Sequence, residues 1–433
     1  MKILLLLSES WNDIVAGNNN MTNWFPGFED VEIWTISGSG VHPANNCCKD
    51  YFIIGENEMI KSLIGNGQAG CALHYGEYPS GVNIESKNII TQKNKAKQQF
   101  AGETARLVRD LVWRWGKINK KELQEFIDEC QPDIIFSQRR GSIKMCRIER
   151  LVASMTNAPL VAYTGDDDFS LHQYSLSPIY WIRRFWVHRT LKRTIPIYKL
   201  LYSMSVRQMK EFNQHFDVPT KFLVKTGDFD EAMIHIKVNR PIRFVYAGKL
   251  YCNRWRTLGT IADCMRNINA KAGEQLMVLD VYTPDEITTE QNRLLNDGVN
   301  SVLHKPVPAS QLPAIFSASD VLLHVESFDR KYRLATQDSF STKVMDYMKS
   351  GCAVFAVCWE GHSALRYLKE KDAAITASNK DEIQSALDLI AKDENVVKDY
   401  ARKAYECGVK YHQRKDVQNM IYSDFEKIIK ENQ

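Results

Sequence analysis

Short apolar runs alternate with longer stretches in which apolar residues recur every three or four positions, and the alternation occurs twice along the chain. In the first half, Lys2–Leu7, Val31–Ser37, Asp133–Ser137, Leu160–Thr164, Ile197–Ser203 and Lys221–Lys225 predict strands. Glu103–Trp115, Lys121–Cys130, Ser142–Thr156 and Ser205–His215 predict the helices between them. Pro132 and Pro159 each stand just before a strand, where a helix must already have ended. The second half predicts strands at Ile242–Ala247, Leu276–Tyr282, Ser301–Leu303, Val321–His324 and Ala353–Cys358. Its helices are expected at Arg256–Lys271, Glu286–Asn296, Ala309–Ala318, Thr342–Lys349 and Asp381–Ala391, with Asn395–Asn432 helical throughout. Strands that are apolar on both faces imply parallel sheets covered on both sides by helices. A seam is expected around Val238–Pro241, while Gly38–Asn94, rich in Gly, Asn and Ser, receives no elements.

Length and charge narrow the class. The 433 residues suit two or three domains, and 56 Lys and Arg against 52 Asp and Glu leave only +4, which gives no argument for nucleic acid. The ten cysteines contain no Cys-x-x-Cys and read as buried thiols of a reduced, cytosolic protein. Ile3–Leu7 is too short for a secretory apolar core and reads as a buried first strand. The longest apolar run, Ala353–Trp359, falls far below the ~20 residues that cross a bilayer.

Three clusters carry candidate chemistry. After the first strand of the second half comes Gly248-Lys249, then Arg254 and Arg256. Ligands of parallel sheets sit beyond the carboxyl ends of strands, so Gly248 permits a tight turn there, and Lys249 and Arg254 bring cations to a pyrophosphate. The alternative is a surface loop with solvated charges. The second cluster is Asp338-x7-Asp346, with Ser341 or Thr342 as helix cap and Lys343 beside it. Amides at that helix start would face an anion, Asp346 would reach a ribose diol and Asp338 a sugar hydroxyl. An ordinary capped helix explains the same spacing. The third is Asp166-Asp167-Asp168, read as an Asp-x-Asp metal clamp, as a carboxylate taking the proton of an incoming hydroxyl, or as a capping turn. The proton-taking role is preferred to the clamp, and no metal is expected.

Together these motifs resemble family 4 of the retaining glycosyltransferases: Gly-basic after the strand opening a second Rossmann-like half, then an acid-x7-acid helix ending in Tyr-Met-x-Ser-Gly before an apolar strand. The resemblance implies the GT-B fold, two Rossmann-like domains facing across a cleft: an acceptor domain over 1–238, a nucleotide-sugar domain over 239–412, and a helix, 413–433, packing back on the first. It implies that Gly248, Lys249 and Arg254 hold the donor diphosphate and that Lys305-Pro306-Val307 runs along the nucleobase. Asp346 would bind the ribose, Asp338 would contact the donor sugar, and Gly17 would approach the donor from the other domain. The chain departs from the family in two ways. Both acids are Asp, which brings in Glu326 as an alternative first acid, and Gly165-Asp166-Asp167-Asp168 stands where the family has a His. Asp166 and Asp167 then become the candidate acceptor-side catalytic groups, beside Asp338, Lys249 and Arg254.

The implied reaction transfers a sugar from a nucleoside diphosphate sugar to a hydroxyl acceptor with retention, without a further cofactor. From Phe169 to Lys210 there are eight Lys or Arg and no Asp or Glu, interleaved with Tyr180, Trp181, Phe185 and Trp186. This suggests contact of 177–199 with an anionic membrane at the inner face of the cell membrane, where a lipid-linked acceptor resides. The charges do not gather on one helical face, so a core-flanking helix is the alternative. Two rival functions share the architecture: a nucleotide-sugar epimerase, and a non-catalytic partner subunit. Gly65-x-Gly-x-x-Gly70 opens no helix and is not a dinucleotide site; His324-Val325-Glu326 lacks a Pro-Cys-x-x-Cys partner, so no zinc is expected there.

Overall fold

The computed structural model describes residues 1–11, 19–28, 30–41, 43–45, 47–74, 95–229 and 237–433. These form two compact units, Met1–Leu223 with Gln418–Gln433, and Val224–Val417. Gly17 lies outside the described residues.

The first unit is built on β1 (Lys2–Leu7), β2 (Glu32–Ser37), β3 (Asp50–Ile53), β4 (Cys71–His74), β5 (Ile134–Arg139), β6 (Leu160–Thr164), β7 (Tyr198–Ser203) and β8 (Thr220–Phe222). The sheet order is β4-β3-β2-β1-β5-β6-β7-β8. Every pairing is parallel except β3 with β4. Ile3 to Leu7 are all buried, as a central strand covered on both faces requires. Ser142 and Ser205 cap the helices Ile143–Ala153 and Val206–His215 through their side chains, which fixes where each helix starts. The segment 38–94, where periodicity assigned nothing, holds β3, the helix Glu56–Ile64 and β4.

The second unit carries β9 (Ile242–Ala247), β10 (Met277–Tyr282), β11 (Ser301–His304), β12 (Val321–Val325), β13 (Ala353–Val357) and β14 (Ile375–Ala377). Its order is β11-β10-β9-β12-β13-β14, all parallel. The order reverses at β9, so the carboxyl ends of β9 and its neighbours frame the crevice where open α/β sheets bind ligands.

Asn395–Asn432 is not one helix. It breaks at Gln413 into Asn395–His412 and Arg414–Asn432. Gln413 is extended because it bridges Gly227: the Gly227 amide donates to the His412 carbonyl at 3.0 Å, and the Arg414 amide to the Gly227 carbonyl at 2.9 Å. Tyr405 donates its hydroxyl to the Phe229 carbonyl at 2.7 Å, so residues 227–229 are held by second-unit groups. Beyond residue 417 the last helix belongs to the first unit. There Phe425 packs near Phe25 and Phe136, and Asp424 accepts from the Tyr202 hydroxyl at 2.8 Å.

Candidate functional site

The turn after β9 is tightly wound. Cys252 and Asn253 both have positive φ, at 57° and 58°, a conformation that costs a non-glycine residue energy and is common at functional loops. Asp285 accepts from the Leu250 amide at 2.6 Å and Asp329 from Asn253 Nδ2 at 2.6 Å, which hold the turn. It delivers Arg254 to the first position of the helix Arg254–Ala272.

Arg254 turns back onto Glu326, the residue after β12. Nε donates to Oε2 at 3.0 Å and Nη2 to Oε1 at 2.5 Å, a bidentate pair whose side chains are 14% and 3% exposed. Burial works against the arginine's charge, but Glu326 outweighs it and holds the proton more firmly than usual. Tyr251 lies under the guanidinium, 4.5 Å from its centre. Among the described residues Nη1 has no hydrogen bond, so one edge of the fork remains available.

Lys343 opens the helix Lys343–Lys349 and donates to the Ala247 carbonyl at 2.6 Å. Its ammonium occupies the space above Gly248, where an added Cβ would collide with it. A side chain at 248 would therefore displace the Lys343 ammonium from this position. Burial, then the nearby Arg254, push the Lys343 pKa down to about 8. Two cations therefore crowd together at the carboxyl end of β9, against their mutual repulsion.

Beside them opens a pocket of about 230 Å³. It is lined by Ala247, Gly248, Lys249 and Lys343 on one side and by Tyr282, Pro306 and Val307 among the apolar groups on the other. Tyr282 stacks on His304 with centroids 4.3 Å apart and planes 9° from parallel. His304 Nε2 is in turn 2.6 Å from Asp280 Oδ1. One flank is cationic and the other flat and apolar, which suits a phosphorylated group bearing a planar ring.

The structure thus brings together Gly248, Lys249, Lys343 and Val307 around one pocket, with Arg254 and Glu326 coupled beside it. Lys305 is exposed and Asp338 is buried, and neither lines the pocket. Thr342 takes the cap position without a side-chain cap bond, and neither it nor Ser341 lines the pocket. The helix that follows has seven residues. Asp346 is 45% exposed and paired with Lys225 at 2.7 Å, so any role on a ribose requires exchanging that lysine. Lys225, Tyr251, Tyr282 and His304 carry no motif that sequence reasoning could have used; only the sheet order gathers them.

The aspartate triplet follows β6 in the first unit and its three residues point different ways. Asp166 is exposed, and its carbonyl accepts from Gln208 Nε2 at 2.8 Å. Asp167 is held by the Ser170 amide at 3.0 Å, the Ser170 hydroxyl at 2.5 Å, Gln173, and Arg184 at 3.2 Å. It caps a turn, so any role as a base requires exchanging some of these partners. Asp168 points inward to Arg139 at 2.7 Å. Burial, opposed by Arg139, raises its pKa to about 6. Asp166 and Asp168 thus do not share a face, and the Asp-x-Asp clamp does not form.

The helix Pro178–Thr194 fills most of the basic segment, with Ser177 as its cap. Arg183 pairs with Asp110 at 2.6 Å and Arg184 with Asp167, which takes both out of the free charge. The exposed positions Ile182, Phe185, Arg189, Lys192 and Arg193 fall on one side of the helix. The charges that remain in solvent do gather on one face, unlike the full set read from the sequence. Among the described residues no helix is long and apolar enough to cross a membrane.

A family model described as glycosyl transferase-like matches residues 242–420. No curated protein matches by sequence. Among solved structures, a sucrose-phosphate synthase from Thermosynechococcus elongatus is 9% identical at TM-score 0.62, covering 99% of each chain. The Anabaena protein HepE, solved in complex with UDP, is 11% identical at TM-score 0.61, covering 99% of this chain and 100% of that one. A trehalose-6-phosphate structure from E. coli, bound with UDP-2-fluoro glucose, is 12% identical at TM-score 0.58, covering 98% of both. At these identities the likeness shows the fold, which is GT-B.

Proposed function

We propose that this chain is a glycosyltransferase that moves a sugar from a nucleoside diphosphate sugar to a hydroxyl acceptor with retention. The observation that carries the reading is the pair of cations, Lys343 and Arg254, packed at the carboxyl end of β9 beside a pocket with an aromatic and apolar flank. A buried, partly discharged lysine next to an arginine is costly in the free protein. It becomes favourable when a dianion arrives. Lys343, Lys249 and the free Nη1 edge of Arg254 then stabilise the diphosphate as the bond from its oxygen to the anomeric carbon breaks. The acceptor oxygen forms the new bond to that carbon as its hydroxyl proton passes to an acceptor-side carboxylate. With cations already facing the leaving group, the reaction does not call for a metal. HepE with UDP and the E. coli structure with UDP-2-fluoro glucose support a donor of this class.

Asp166, exposed after β6, remains the acceptor-side candidate of the triplet. A lipid-linked or glycan acceptor is favoured by the exposed face of Pro178–Thr194, where Ile182 and Phe185 are 61% and 55% exposed and are followed by Arg189, Lys192 and Arg193. Such a face rests on anionic lipid, apolar residues inserted and cations at the headgroups. The test is a thermal-shift screen against UDP, GDP, ADP and CDP. A ligand at 100 times its Kd adds about 2.7 kcal/mol, so one nucleotide should raise the Tm by several degrees. Four flat responses would refute the reading.

A further inference from the structure

His324, Cys358 and His362 enclose a buried space that the donor reading does not use. His324 lies on β12, two residues before Glu326, and pairs in register with Ala356 of the adjacent β13. Cys358 follows β13, and His362 caps the helix Ser363–Glu370. One donor atom from each lies within 4.8 Å of the other two, and among the described residues no other group of His, Cys, Asp or Glu converges in this way. All three are buried, His324 at 4% exposure and the others at 0%.

The Cys358 thiol donates weakly to the His324 carbonyl at 3.9 Å, but most of the ring nitrogens here are left unsatisfied. His324 Nε2 and both ring nitrogens of His362 have no hydrogen bond of ordinary length. The Thr336 backbone is the polar group nearest the His362 ring and favours its proton, but no well-formed hydrogen bond results. An orphaned buried polar atom costs about 1–3 kcal/mol, and several in one place call for an explanation. Protonation does not provide one. Burial pushes both rings toward the neutral form, His362 down to about 3, which leaves each a lone pair for coordination. The rings stand 5.7 Å apart and are tilted by 53°, so two lone pairs can meet at one point.

We propose that His324, Cys358 and His362 bind a zinc ion that clips β12, β13 and the helix Ser363–Glu370 together. Two imidazoles and a thiolate form a donor set for a borderline-soft ion and not for Mg²⁺, Ca²⁺ or Mn²⁺. With Zn–N near 2.0–2.1 Å and Zn–S near 2.3 Å, ligand atoms of a tetrahedral site stand roughly 3.3–3.6 Å apart, so the present spacing closes with small side-chain adjustments. Binding breaks the S–H bond of Cys358, forms the sulfur–zinc bond and releases one proton to solvent. Burial and the charge of Glu326 hold the Cys358 thiol well above its usual pKa, with Arg254 and the Glu326 backbone amide opposing them only in part, so it is the metal's own charge that must draw off the proton. Because His324 and Glu326 share one strand end, the ion fixes the carboxylate that orients Arg254. Cys358-x3-His362 supplies the partners in place of a Pro-Cys-x-x-Cys motif, and Cys358 stands 34 positions after His324.

The test is elemental analysis of the full chain, expressed with zinc and without a histidine tag, after exhaustive dialysis. Close to one zinc per chain is expected for the wild type and for Cys47→Ser, and almost none for Cys358→Ser and His362→Gln. A wild type that holds no zinc, or a Cys358→Ser protein that keeps it, overturns the proposal. Should the variants fail to fold, cobalt exchanged into the wild type gives an independent reading. A thiolate-to-cobalt charge-transfer band supports the site, and absence of that band overturns it.

Discussion

Each of the two sheets carries a buried arginine–carboxylate pair just past the carboxyl ends of neighbouring strands, yet the surroundings of the pairs differ. In the first unit Arg139, the last residue of β5, meets Asp168 beyond β6, with side chains 0% and 6% exposed. Phe212 covers the guanidinium at 5.4 Å. Nearby Glu149 accepts from Ser137 at 2.6 Å and Tyr198 at 2.7 Å, and burial, only partly offset by these bonds and by Arg139, raises its pKa to about 7. This region is sealed and acid-rich. In the second unit Arg254 and Glu326 pair beyond β9 and β12, where the strand order reverses, and there Lys343 and Lys249 stand beside them and a pocket opens. A buried ion pair at a strand end therefore marks architecture. Surplus charge next to an opening marks a site.

Three substitutions separate the two cases. Arg254→Met should have the largest effect, because it removes a cation from beside the pocket and also leaves Glu326 buried without its partner. Removing one member of a buried pair costs about 3–5 kcal/mol, so a large fall in urea midpoint should accompany loss of nucleotide binding. Asp168→Ala should destabilise by a similar ~3–5 kcal/mol, since Arg139 cannot shed its proton. The folded fraction should bind nucleotide as the wild type does, and weakened binding there would erase the distinction between the pairs.

Lys343→Met has the smallest effect on stability and a specific effect on function. The lysine's folded pKa, about 8, lies below the usual 10.5, so between those values the unfolded chain binds more protons and folding is favoured as pH rises. Binding a dianion runs the opposite way. It needs the charged lysine, so affinity should fall above about pH 8, by up to tenfold per pH unit. Lys343→Met should leave the urea midpoint unchanged or higher, lower kcat by roughly 10²–10³, and flatten the pH dependence of nucleotide Kd measured by calorimetry. A variant that still lost affinity above pH 8 would show that another group titrates.

Much of this architecture is legible from periodicity. Lys2–Leu7, Leu160–Thr164 and Ile242–Ala247 are continuous apolar strands that tertiary context only confirms. Strands β3, β4 and β14 have three or four residues, too few for a period to register. Gly248, Lys249, Arg254 and Lys343 were readable because the turn after a parallel strand is where such sheets bind anions. What the sequence could not show is direction. Nothing in three consecutive aspartates tells that Asp168 turns inward to Arg139 while Asp167 caps a turn. The break at Gln413 depends on a bridge to Gly227, far away in the chain, which no local pattern encodes.

The role of the cations around Arg254 and Glu326 is tested most directly by a crystal grown with the nucleoside diphosphate that stabilises the protein. The diphosphate should lie above Gly248, with its oxygens within hydrogen-bonding reach of Lys343 Nζ and Arg254 Nη1 and its base toward Val307 and Tyr282. A nucleotide found instead among the first unit's groups near Arg139 and Asp168, with the space over Gly248 left to solvent, would contradict it.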